Sequence, residues 1–290
     1  MTLNNSEYQQ NKEISLIQCS GRLLDEARDK SVPTFERLNY VADFMNKIDA
    51  YLKFQPEYLE ETSELIKDMM AKKDSAHILI DSDLELAGIE KAGVLDLLPE
   101  YHELVDKVYI EDIKDNLKVR VVSHNEALPM PGEVKTCFLA RLACGDKVQY
   151  GLIDIPQFIP QVLILNYGLP YISTHKEDDF GIVRRNKRNF TQPCTYILTE
   201  DIIKMHMAEL FESSELLELR AIRLYSGKNR NNSALIIDGE PSEELRKYLL
   251  STFSIRDEQI FKTNHIDYSY VGPLRNELPV WLIEHLCWDK

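Results

Sequence analysis

The first 75 residues carry apolar positions at helical spacing. Leu38, Val41, Met45, Ile48 and Leu52 recur at the i, i+3, i+4 and i+7 intervals of one buried stripe. Ile14, Ile17, Leu24 and Ala27 mark a weaker stripe in a preceding helix. Ser31 and Pro33 separate the two. Pro33 fits only the first turn of the second helix, because its ring removes a donor and clashes further in. A third helix is predicted from about Pro56. Glu57, Glu60 and Glu61 occupy its first turn, and Lys67, Lys72 and Lys73 lie toward its end. That polarity suits the helix dipole. Three such helices make a minimal bundle.

The period changes at Ala76. HILID (77–81) reads as a short buried strand, and a helical, acidic region is expected to follow to about Asn116. KVRVVS (118–123) and TCFLARLA (136–143) alternate like strands. Gly145-Asp146, just before KVQYGLIDI (147–155), is a two-residue hairpin signal. VLILN (162–166) is another short apolar run. From 195 to 263 the chain reads as strand TYILT, a helix from Glu200 to about Phe211, strands ELRAIRLYS and SALIID around GKNRNN, a helix at about 242–253, and strand EQIFKT. The order β-α-β-β-α-β is that of a ferredoxin-like unit. The expected fold is therefore α+β, with an N-terminal helical bundle over 1–75 and a mixed α/β domain over 76–290 that includes the ferredoxin-like portion.

Composition narrows the function classes. Net charge is −14 with the acidic residues spread along the chain. That balance argues against nucleic acid as a partner and against tight polyanion binding unless cationic charge is segregated locally. No run of about 18 apolar residues occurs, so no membrane span is expected. The polar start MTLNNSEYQQ lacks the apolar region of a secretory signal. The five cysteines Cys19, Cys137, Cys144, Cys194 and Cys287 form no C-x-x-C pair, so neither a disulfide framework nor a zinc site is indicated. Reduced thiols in the cytoplasm are the plain reading.

Residues 11–53 hold the most specific motif. Lys12, Glu13, Ser15, Arg22, Leu24, Glu26, Ala27, Asp29, Pro33, Glu36, Arg37, Leu38 and Asp49 fall in register, without a gap, on a pattern K-E-L-S-W-L-x-F-N-x-R-V-L-x-E-A-x-D-x-x-x-P-L-x-E-R-L followed by N-L-D-E-F. This stretch resembles the opening of the histidine-phosphorylating type of polyphosphate kinase. Tyr150, Ile155, Pro156 and Pro160 match a phrase "Y-A-L-L-E-I-P…P-R-F-V" in that family's head domain, and PSEELRKYLLSTFSIRDEQIF (241–261) resembles its helix–strand unit. The resemblance covers about 11–275 and implies an N-terminal domain plus a head domain. The two catalytic domains would follow where this chain stops. It also implies dimer contacts through the head domain, so a homodimer, or a complex with a polyphosphate kinase, is the expected assembly.

The family's chemistry resides in those catalytic domains, where a histidine takes the terminal phosphate of ATP and cationic groups clamp the phosphoryl charge. The histidines here are His77, His102, His124, His175, His206, His265 and His285, none within an H-x-K motif, and no Walker-A loop or G-x-G-x-x-G occurs. The family's N-terminal domain contributes an Asn that contacts the nucleotide base. Lys47 aligns with that Asn, while Asn46 lies one residue earlier, about 100° around the helix. The motif's Glu is Ala50, a nearby Arg is Gln55, and the early Trp and Phe-Asn are Leu16 and Cys19-Ser20. Residues linked to nucleotide have changed while helix-packing positions persist.

Other clusters each have a plain alternative. Arg184, Arg185, Lys187 and Arg188, with Lys176 nearby, could hold phosphates through charge-assisted bonds or form a solvated loop. Asp81-Ser82-Asp83 lacks the spacing of a calcium loop, and no metal or cofactor is expected there, at Glu177-Asp178-Asp179, or at His285-Leu286-Cys287. The C-terminal LPVWLIEHLCWDK is apolar, so Trp281, Leu282, Leu286 and Trp288 need cover, either by folding back or at an interface. The sequence reading is a non-catalytic binding or regulatory module. The rival is a nucleotide- or polyphosphate-binding subunit of a split kinase, or a piece of a longer kinase.

Overall fold

Helices α1 (Asn5–Arg28), α2 (Thr34–Phe54) and α3 (Leu59–Leu86) pack pairwise against one another. The computed structural model describes residues 5–54, 58–93, 97–126, 136–156, 158–165, 194–211, 214–225 and 233–264. The stripe read on α2 is buried at every position, from Leu38 to Leu52. On α1, Ile17, Leu24 and Ala27 are buried and Ile14 is half-buried. Gly21 lets α1 close on α3, since a Cβ there would lie 2.6 Å from Met69 Sδ. Arg37 is only 1% exposed. Its Nε donates to the Ala27 carbonyl at 2.7 Å, and its guanidinium pairs with Asp83 on α3. The cation thus stitches all three helices together.

HILID is helix, not strand. Residues 77–81 lie inside α3, which carries no Gly or Pro and runs on to Leu86. It ends where Gly88 takes a φ of 80°, a conformation that glycine adopts without strain. The apolar run misleads because His77 and Ile80 face inward while Ile78 faces out. The strand β1 comes later, at Ile89–Lys91. The helical region expected before Asn116 is α4 (Pro99–Val108), continued by a π turn at Tyr109–Ile113 and a 3-10 turn at Lys114–Asn116.

The remaining strands are β2 (Lys118–Ser123), β3 (Thr136–Cys144), β4 (Lys147–Asp154), β5 (Val162–Ile164), β6 (Cys194–Leu198), β7 (Glu215–Tyr225), β8 (Ala234–Asp238) and β9 (Ile260–Thr263). They form a six-stranded sheet in the order β2-β4-β3-β7-β8-β9 and a three-stranded sheet β1-β6-β5. The β3–β4 hairpin turns at the expected Gly145-Asp146, with Gly145 at a φ of 58°. The helix expected over 200–211 breaks at His206 into α5 (Thr199–Met205) and α6 (Met207–Leu210). With α7 (Glu243–Phe253) the expected β-α-β-β-α-β order is present. Its four strands, however, do not share one ferredoxin-like sheet. β6 joins the small sheet, while β7, β8 and β9 are neighbours in the large one and β8–β9 are parallel across α7. Element order alone does not specify which edge a strand joins.

Alternation along the large sheet separates two cores. Phe138, Ala140, Leu142, Ile153, Ala221, Tyr225, Ile236 and Phe261 share a core with helices of the bundle, α4 and α5. The opposite face packs Leu139, Leu152, Ile222, Leu235 and Ile237 against Leu245, Leu249 and Phe253 of α7. The small sheet covers the α1–α2 corner through Ile89, Val162 and Tyr196.

Gly151 lets the Phe211 ring, just past the end of α6, close on the sheet, because a Cβ there would lie 2.7 Å from that ring. Gly151→Ala is expected to lower stability by about 1–3 kcal/mol. Chemical denaturation should report the loss, and Gly151→Ala combined with Phe211→Leu should recover part of it.

Candidate functional site

The stretch of α2 around Asn46–Ala50 has two faces. Asp43, Asn46, Lys47, Ala50 and Lys53 are exposed, whereas Ile48 and Leu52 are buried in the bundle. Lys47 and Asn46 both lie on the solvent side, and among the described residues neither forms a hydrogen bond or an ion pair. Lys53 and Phe54 end this face, with Lys53 Nζ 5.3 Å from the Phe54 ring centroid. Arg184, Arg185, Lys187, Arg188 and the chain end with Trp281 and Trp288 lie outside the described residues.

Asp49, on the inner flank, is engaged. Its Oδ2 accepts from Arg223 Nη1 at 2.6 Å, and its Oδ1 accepts from the Tyr225 hydroxyl. Arg223 also donates to Thr136 Oγ1 at 3.1 Å. Residues 223 and 225 project from the same face of β7, so one carboxylate on α2 meets both. Burial pushes the Asp49 carboxyl above its ordinary range, and the Arg223 charge and the two hydrogen bonds pull against it. Burial, then the nearby Asp49 charge, raises the fully buried Tyr225 phenol well above its usual value, so it remains a donor. This triad latches α2 to the large sheet. Sequence reading noted Asp49 only as a motif match and did not single out Arg223 or Tyr225. The alternation of ELRAIRLYS was the available signal, since it puts an Arg two residues before a Tyr on one face.

A second latch joins α3 to β9. Lys73 is fully buried; its ammonium donates to Thr263 Oγ1 at 2.7 Å and to Asp74 Oδ1 at 3.2 Å. Asp74 also accepts from Thr263 Oγ1 at 2.5 Å and from the Asn264 backbone N–H at 2.9 Å. Nearby, Asp201 bridges Lys91 and Lys204, each at 3.1 Å. Asp81 lies close to these charges. Burial pushes its carboxyl up to about 6, against the pull of Lys91 and Lys73. Asp83, in the same acidic triplet, is spent on Arg37 and Lys30. Within the DSD triplet, Asp83 thus belongs to the bundle through Arg37, while Asp81 lies beside the charges of Lys73 and Lys91. His206 stacks on Tyr109 with ring centroids 3.8 Å apart, and its Nδ1 lies 2.8 Å from the Ile202 carbonyl oxygen.

With this geometry in view, residues 9–122 match the family described as the polyphosphate kinase N-terminal domain. The chain carries a polyphosphate kinase-related N-terminal domain. It is similar to the polyphosphate kinase of Bacillus cereus, 23% identical over 281 residues, covering 86% of this chain and 36% of the relative. The Staphylococcus saprophyticus polyphosphate kinase is 24% identical over 254 residues, covering 84% of this chain and 33% of the relative. The Helicobacter pylori protein is 24% identical over 248 residues, with 74% and 31% covered. The crystal structure of polyphosphate kinase from Porphyromonas gingivalis superposes with a TM-score of 0.71 at 18% identity, covering 94% of this chain and 40% of that chain. The fold is thus shared along nearly the whole polyphosphate kinase-related chain, which spans about a third of the length of the curated relatives it matches.

Two outcomes follow from the latches. Asp49→Ala leaves Arg223 and Tyr225 facing an empty position and should cost about 2–4 kcal/mol in denaturant unfolding. Adding Arg223→Met should recover part of that loss, which a double-mutant cycle measures. The Asp81 carboxyl is raised from 3.8 to about 6, so the folded state holds a proton that the unfolded chain releases. Its contribution to stability is present below about pH 4 and is lost as pH rises through about 6. Asp81→Asn should therefore stabilise the protein by about 1–3 kcal/mol at pH 7.5, with the difference vanishing near pH 4. Thermal unfolding at the two pH values checks this.

Proposed function

We propose that this polyphosphate kinase-related chain is a non-catalytic binding or regulatory and oligomerisation module. Its assembly in this reading is a homodimer or a complex with a polyphosphate kinase, in the cytoplasm. The observation that carries the reading is on α2. Where the family motif places a base-contacting Asn and a Glu, Lys47 and Ala50 face solvent, while the retained Asp49 is taken up by Arg223 and Tyr225. The motif's packing role has been kept and its nucleotide-facing chemistry replaced. Two findings are consistent with the compartment. The four described cysteines are free thiols, and among the described residues no helix is long and apolar enough to cross a membrane.

One observation favours the rival, a nucleotide- or polyphosphate-binding subunit of a split kinase. Asn46, Lys47, Lys53 and Phe54 are all exposed near the end of α2, so ammonium groups for phosphate and a ring for a base are close together. Calorimetry separates the readings. The non-catalytic reading expects no ATP binding tighter than roughly millimolar, about 4 kcal/mol. It also expects no polyphosphate from ATP and magnesium. Micromolar ATP binding that Lys47→Ala abolishes would establish the rival. So would polyphosphate binding that weakens steeply with salt and disappears when Arg184, Arg185, Lys187 and Arg188 are neutralised. Light scattering at micromolar concentration should report a dimer whose interface buries at least about 1,000 Å².

A further inference from the structure

The two edges of the large sheet differ. At one edge β9 is held to α3, where Lys73 donates to Thr263 and the Asn264 backbone N–H donates to Asp74. At the other edge stands β2, whose strand neighbour among the described residues is β4 alone. Its pairing runs from Lys118 to Ser123 without a register shift, and no Pro or Gly interrupts it. A plain edge of this kind offers its free backbone groups to a further strand.

Which groups are free follows from the β3–β4 hairpin. Cys144 and Lys147 flank its two-residue turn, so they form the hydrogen-bonded pair that closes it. Alternation then turns the odd-numbered residues of β4 toward β3 and the even-numbered ones toward β2. In the β2–β4 register, Lys118, Arg120 and Val122 face Asp154, Leu152 and Tyr150. Val119, Val121 and Ser123 therefore direct their N–H and C=O groups away from β4. The Ser123 N–H agrees with this direction, since it donates to Glu126 Oε2 at 3.1 Å. Ser123 is thus occupied, and no described residue bonds the outward groups of Val119 or Val121.

The side chains fit the same picture. Val119 and Val121 are 36% and 45% exposed. They sit opposite Ile153 and Gly151, so they continue the bundle-facing apolar surface of the sheet out to its rim. Lys118 and Arg120 lie on the other face, where Arg120 Nη2 donates to Asp154 Oδ2 at 2.5 Å. In a chain of net charge −14, no acidic residue falls between Leu117 and Ser123.

We propose that β2 pairs antiparallel with β2 of a second copy of this chain, joining two large sheets into one. The proposal rests on the homodimer reading above and names its contact surface. A twofold axis at Arg120 sets Val119 of each copy opposite Val121 of the other. These are the residues whose N–H and C=O groups point outward, and they lie two apart, so the edge is complementary to itself about the residue between them. The valine side chains of both copies then meet on one face. Each Arg120 faces its copy with its charge already matched by Asp154. Two acidic chains repel least where the approaching strands carry no carboxylate.

The test combines light scattering with amide hydrogen exchange. The parent protein should be a dimer at micromolar concentration. Val121→Pro removes an outward donor and leaves the β4 ladder whole, and proline is tolerated on an edge strand at a position whose N–H faces solvent. It should raise the dimer dissociation constant about ten- to a hundredfold, because each copy loses one donor. Val119→Lys/Val121→Lys should weaken the dimer as well, by setting like charges in the contact. Phe158→Lys, at an exposed apolar residue elsewhere, should leave it unchanged. In the unaltered protein, the Val119 and Val121 amides should exchange slowly in the dimer and faster on dilution to the monomer. A dimer that persists in both β2 variants, or whose Val119 and Val121 amides exchange rapidly, overturns this contact and leaves the homodimer reading standing. Protection that dilution does not change overturns it too, since the chain itself would then cover the edge. A parent that stays monomeric across the concentration range overturns both.

Discussion

A fully buried lysine holds the two halves of this molecule together. Lys73 sits in the middle of α3 with its ammonium withdrawn from water. A cation in that position is costly unless it is paired and hydrogen-bonded. Thr263 and Asp74 meet that need, and Asp74 in turn fixes the Asn264 backbone. The last strand of the large sheet is thereby registered against the longest helix of the bundle. Asp49 repeats the arrangement between α2 and β7. Hydrophobic burial supplies most of the stabilisation of such a contact but is non-directional. The two polar latches select one placement of bundle on sheet.

That division of labour separates the positions of α2 that packing and pairing hold from those that only the surface uses. Leu38, Val41, Met45, Ile48 and Leu52 are bound by packing, and Asp49 by its two partners on β7. Asn46, Lys47 and Ala50 answer to neither constraint, because they face water. Substitution there changes what the surface can recognise without disturbing the fold. A relation at 23% identity can therefore preserve architecture while leaving the activity of the longer relatives an open proposal for this chain.

Much of the architecture was legible along the chain because local signals and tertiary packing agreed. The α2 stripe, the Gly145-Asp146 hairpin, the strands of 118–154 and the Ser242-capped helix α7 all appear where the pattern puts them. The register of Lys12 through Asp49 likewise pointed to the polyphosphate kinase relation that the family match supports. Each of these depends on residues a few positions apart, where spacing and turn chemistry carry the information.

Tertiary structure decided what depends on distant partners. HILID looks like a strand because four of its five residues are uncharged and bulky, yet it is helix because nothing interrupts α3 and because the interior accepts His77 and Ile80. TYILT forms a strand as expected, but only the space left beside β1 and β5 assigns it to the small sheet. Arg223 and Tyr225 lie 174 and 176 residues from the Asp49 they hold, and Thr263 lies 190 from Lys73. A sequence records the residue types able to make such bonds. Which pairs are made is set by the close approach of surfaces after packing, where an unpaired buried polar group is too costly to persist.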